Sequence, residues 1–146
     1  MTASPMPSLE SAAGNTSAMV AQLSYGRCCN SPAFFDDFYD YFMSMSPQIK
    51  ELFVRTDFVK QKALLRQALT YVIMLSMGSA VAEEHLKKLG QSHGSRGLDI
   101  APQLYTMMVE ALIHAVRKHD KKFTPEIDGV WRGVMAKAIQ VIRAEY

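Results

Sequence analysis

Only two cysteines occur in the 146 residues, Cys28 and Cys29, and they are adjacent. That arrangement offers neither a disulfide framework nor the spacing of a cysteine metal site, so buried or idle thiols are expected. Long apolar runs are missing too: the longest, Tyr71 to Leu75, is far short of a membrane span. Met1-Thr2-Ala3-Ser4-Pro5 has neither the basic region nor the apolar run of a secretory signal. A soluble, cytoplasmic chain with no membrane partner is expected. Neither sign of charge dominates, with 16 basic and 14 acidic residues interspersed and a net charge of +2. No basic stripe exists for a nucleic-acid partner. A glycine-rich dinucleotide loop is lacking, and the length leaves no room for a second catalytic domain.

Residues 1–16 carry Pro5, Pro7, Gly14 and several serines without apolar periodicity, and read as a flexible leader ahead of one domain over 17–146. Thereafter the apolar residues recur at helical spacing. Breaks fall at Ser31-Pro32, Ser46-Pro47, Thr56-Asp57, Gly78-Ser79, Gly97, Ala101-Pro102 and Thr124-Pro125. The stripe Leu104, Met107, Met108, Ala111, Leu112, Ala115 and Val116 marks one helix; Ile127, Val130, Trp131, Val134, Met135, Ala138 and Ile142 mark the last. Alternating segments with hairpin turns are lacking, so an all-α fold of about seven helices is expected. Ten methionines lie largely on inward faces, suited to filling irregular core space or lying against a flat aromatic ligand.

Three polar residues interrupt these stripes. His93 is in line with Leu86, Leu89 and Gly90, while Lys87, Lys88, Gln91 and Ser92 take the other side. An inward imidazole is either a hydrogen-bonded core residue or a ligand. Gln61 falls on the stripe of Phe58, Leu65 and Val72, and a buried amide without a partner costs about 1–3 kcal/mol, so it sits at an edge or faces a polar pocket. Tyr39 lies beside Phe35, Phe38 and Phe42, where a phenol needs a partner. The turn at Gly78-Ser79 allows an antiparallel helical pair that brings Gln61 and His93 face to face across a gap able to hold a planar ligand.

The order of these residues resembles the globin family, specifically single-domain bacterial haemoglobins similar to the haem domain of flavohaemoglobins. Phe38-Tyr39 resembles the Phe-Tyr of that family's second helix, Pro47 the proline opening its short third helix, and Leu52-Phe53 the Leu-Phe whose ring packs on haem. Gln61 to Leu65 resembles the distal Gln-x-x-x-Leu, Leu89 to His93 the proximal Leu-Gly-x-x-His, and Tyr105 and Trp131 the aromatic marks of the last two helices. The resemblance covers residue 17 to 146.

It implies a globin fold around one pocket for haem b (iron protoporphyrin IX), with His93 as the iron ligand. Phe53, Leu65, Leu98, Tyr105 and Met108 would enclose the macrocycle, with Lys62 and Arg96 as candidates for the propionates. Tyr39 and Gln61 would donate to bound oxygen, NO or CO, with Lys60 the distal residue if the preceding loop is one residue longer. Lys60 and His85 are candidate sixth ligands. One departure is Met135, at the position read as the family's polarising tyrosine. Reversible oxygen binding for transport, storage or sensing is the function implied, in a monomer or weak homodimer. The alternative is NO dioxygenase activity, dependent on an external reductase.

Overall fold

Four of the expected breaks are helix caps in a computed structural model of the chain. Ser46, Asp57, Ser79 and Thr124 each accept a backbone N–H of the following turn through the side chain, satisfying a donor that the first helical turn leaves open. The structure describes residues 9–94 and 97–146. These form seven helices and no strand: α1 Leu9–Cys29, α2 Phe34–Ser44, α3 Pro47–Leu52, α4 Phe58–Ser76, α5 Ala80–His93, α6 Gln103–His119 and α7 Pro125–Arg143. No helix among the described residues is long and apolar enough to cross a membrane.

The start of α1 departs from the sequence expectation. Helix begins at Leu9, inside the segment read as leader, whereas residues 1–8 lie outside the described residues. Leu9, Glu10, Ala12 and Ala13 are strong helix formers, a propensity that the search for an apolar stripe does not register. The stripe itself is blurred, since Met19 and Leu23 are exposed on α1 whereas Ser24 is fully buried.

Trp131, Phe34, Phe38, Ile49, Leu69, Leu86, Leu112 and Val116 fill the centre. Around them α2 packs on α6, α1 and α5 on α7, and α4 on α5. Gly78 makes the α4–α5 connection. Its φ of +89° is a conformation that glycine adopts without Cβ strain. The Gly78 N–H donates to Leu75 and the Ser79 N–H to Met74, closing α4 with the paired bonds of a Schellman turn just before Ser79 caps α5. With only Met77, Gly78 and Ser79 between two packed helices, the start of α4 and the end of α5 lie at the same end of the pair.

A buried polar network joins α1 to the α6–α7 corner. Trp131 Nε1 donates to Ser24 Oγ at 2.9 Å, and Ser24 donates to Asp120 Oδ2 at 2.6 Å. Arg27 donates to both Asp120 oxygens at 2.5 and 3.0 Å, and the Lys122 N–H donates to Oδ1 at 2.9 Å. Desolvation pushes the Asp120 carboxyl up, but the bonds from Arg27, Ser24 and Lys122, with the guanidinium charge, outweigh it and hold the group below its ordinary range. A second tie runs from Ser31 through His119 to Asp37, at 2.6 and 2.5 Å, and binds the α1–α2 turn to the end of α6.

Asp120→Asn should lower stability at neutral pH by about 2–3 kcal/mol, because Ser24 and Arg27 lose a charged acceptor and the Trp131–Ser24 bond loses its anchor. Since the folded carboxyl titrates below the unfolded one, its contribution is complete above the unfolded value of about 4 and disappears as pH falls through the folded value. Urea unfolding between about pH 6 and 3 should therefore show the wild type and Asp120→Asn converging toward acid.

Candidate functional site

His93 is the last residue of α5, half-buried, and its ring is held by its own helix. Nδ1 lies 2.8 Å from the Leu89 carbonyl oxygen, which can only accept, so Nδ1 carries the proton. Ser92 donates its hydroxyl to the same carbonyl at 2.9 Å and stands 3.1 Å from Nδ1, where its lone pair shares the imidazole proton. In the neutral ring this fixes one tautomer. Nε2 keeps its lone pair and has no hydrogen-bond partner among the described residues.

The other side of the candidate site is built from α2 and α4. Tyr39 is 3 % exposed, and its hydroxyl donates to the Gln61 backbone carbonyl at 3.3 Å. Phe38, Phe53 and Phe58 surround it edge-on, at centroid distances of 4.9, 5.5 and 5.5 Å. Burial pushes the phenol up to about 12, against a smaller downward pull from the bond to Gln61. Tyr39 is therefore a protonated donor throughout the neutral range. Gln61 is half-buried, whereas Lys60 is exposed and its N–H faces the Asp57 cap.

Phe53, Phe58, Leu65, Leu89, Ile100, Met107 and Met108 form a partly buried apolar set packed on the core. Of the residues expected to enclose a macrocycle, Phe53, Leu65 and Met108 belong to this set and Tyr105 is buried. Leu98 is 69 % exposed. Lys62 pairs with Asp36 across α2 and α4 at 2.8 Å, and Arg96 lies outside the described residues. His85 is exposed and stacked on Tyr71 with centroids 4.2 Å apart. Met135 is buried. The apolar stripes foreshadowed Phe58, but no local pattern marked Ile100, which follows an irregular turn and donates its N–H to the His93 carbonyl at 2.8 Å.

Two glycines bracket His93 for a steric reason. A methyl at Gly90 would collide with the Ile142 carbonyl, and one at Gly94 would stand 3.0 Å from Tyr146 Cα. The backbone of α5 thus lies directly on the end of α7.

An all-helical fold with a half-buried histidine of fixed tautomer and a set of partly buried apolar side chains suits a protein that binds a prosthetic group. The chain belongs to the globin family, whose profile matches residues 36–142. It is also similar to a solved structure, that of a Pseudomonas aeruginosa PAO1 protein described as structurally highly homologous to a human haemoglobin. The two are 42 % identical, with 89 % of this chain and 98 % of the other covered and a TM-score of 0.86. No curated protein matches the chain. Membership of the family implies a haem cofactor. The free Nε2 lone pair of His93 and the partly buried apolar set suit an iron ligand and a flat apolar ring.

Gly90→Ala should destabilise the protein by about 1–3 kcal/mol, overpacking outweighing the helix-propensity gain of about 1 kcal/mol. Gly133→Ala on α7, where an added methyl meets nothing within 4 Å, should be neutral or stabilising. Thermal unfolding of the two variants tests the contrast.

Proposed function

We propose that this globin binds oxygen reversibly, with NO and CO as competing ligands, at a haem iron ligated by Nε2 of His93. Haem, when bound, would supply a ferrous iron able to bind a diatomic gas reversibly. The observation that carries the reading is the 2.8 Å contact from Nδ1 to Leu89, which orients the imidazole and keeps the Nε2 lone pair available. Tyr39 and Gln61 supply donors on the distal side. The phenol is held in its aromatic surround beside Gln61, and the proton it now gives to the Gln61 carbonyl is the one available to an incoming ligand. Gln61 is preferred over Lys60 as the distal residue, because it is the half-buried member of the pair and the one in contact with Tyr39.

Phe53, Leu65, Tyr105 and Met108 would exclude water from the ring, whereas Leu98 is too exposed to contribute. Lys62 would have to exchange Asp36 for a propionate. NO dioxygenation is the second reading, and it requires electrons from a separate reductase. Rapid NO consumption on adding a reductase would favour it over carriage.

Absorption spectra of the ferric, ferrous and ferrous-carbonyl states should show a Soret band that His93→Ala abolishes. At about 1 kcal/mol per hydrogen bond, Tyr39→Phe and Gln61→Ala should each accelerate oxygen release roughly fivefold, and together roughly thirtyfold. Unchanged release in both variants would remove these residues from the distal role. Release should stay flat between about pH 7 and 10 in the wild type, because the phenol keeps its proton until about 12.

A further inference from the structure

Sequence spacing looks for a phenol on α7 at Met135 and finds none, but the structure brings one to the proximal helix from farther along. Tyr146 follows α7, and its Cα and ring edge meet the position a Cβ would take on Gly94, at 3.0 and 3.4 Å. Its hydroxyl donates to the Tyr105 hydroxyl of α6 at 2.8 Å. One turn back, the Ile142 carbonyl abuts Gly90, and Gln91 reaches Glu145 at 3.5 Å. The residues at −3 and +1 from His93 are thus both pressed on one short stretch of chain, and Tyr146 anchors that stretch to α6.

We infer that Tyr146 is a positioning residue for His93: seated on Gly94 and bonded to Tyr105, it fixes the last turn of α5 and with it the direction in which Nε2 is presented. The mechanics are local. The Gly94 N–H donates to Gly90 at 2.9 Å, and the Gly94 carbonyl accepts from Gly97 and Asp99, so the residue on which Tyr146 rests also organises the turn that leaves α5. Displacement of Tyr146 frees Gly94, and the terminal helical bonds beneath His93 fray. Loss of the hydroxyl alone leaves the ring on Gly94 but cuts the tie to α6.

The inference rests on the proposed haem ligation, and its test separates the two. In ferrous protein, Tyr146→Ala should shift and broaden the iron–histidine stretching band in resonance Raman spectra, and should speed haem transfer to excess apomyoglobin by roughly fivefold or more. Tyr146→Phe and Tyr105→Phe should give smaller shifts of equal size, and the double variant no further shift, since both remove the same bond. Asp120→Asn, which weakens the fold away from α5, should leave the band in place. A Tyr146→Ala band coincident with wild type, or an equal shift in Asp120→Asn, would overturn the inference. Absence of a Soret band in wild type would instead defeat the haem reading. Amide exchange at Gly94 in haem-free protein then decides: faster exchange in Tyr146→Ala supports the latch, and unchanged exchange overturns it.

Discussion

Backbone contact between α5 and the end of α7 is the constraint on which the functional end of the molecule depends. Two helices approach this closely only where one has no side chain, and Gly90 meets that condition against the Ile142 carbonyl. A glycine inside a helix costs about 0.5–1 kcal/mol relative to alanine, so its presence here reflects the space it leaves. The contact fixes α5 along its axis, and His93, three residues on, inherits the placement. Its orientation comes from a second source, the Leu89 carbonyl, so position and tautomer are set independently.

Hydrogen bonding is complete through the rest of the core. Every buried side-chain nitrogen or oxygen among the described residues has a partner. Asp120 is the costliest to bury, and it is served by Arg27, Ser24 and the Lys122 N–H together, whereas Tyr39 needs only the Gln61 carbonyl. These solutions differ in consequence. The Asp120 network is committed to holding α1 and α7 together. The Tyr39 phenol, with one 3.3 Å bond, retains a proton that can be redirected, which suits the donor role proposed for it.

The two sides of the candidate site are built from different materials. On the proximal side, backbone contacts at Gly90 and Gly94 and the paired hydroxyls of Tyr105 and Tyr146 make a stiff support. On the distal side, aromatic rings hold a phenol over the first turn of α4, and Lys62 adds an ion pair to Asp36 at the same junction. On the proposed reading, a rigid iron ligand and adjustable donors opposite it form a workable division for reversible binding.

Helix number, helix limits and the all-α class were legible in the sequence because capping residues, prolines and apolar periodicity are local signals. Ser46, Asp57, Ser79 and Thr124 announce their helices whatever the chain does elsewhere. The early start of α1 was not legible, since that helix mixes exposed Met19 and Leu23 with buried Ser24. His93, Gln61 and Tyr39 could be singled out as inward polar residues, and family resemblance turned them into a site. What the sequence alone determined is therefore the helical course of the chain and which polar residues interrupt its apolar stripes. Only the tertiary structure decided that Tyr39 bonds to Gln61, that Lys62 is paired with Asp36, and that Tyr146 lies on Gly94 and joins Tyr105. Those contacts span 22 to 52 residues of chain. They depend on how helices cross, and no local pattern encodes a crossing.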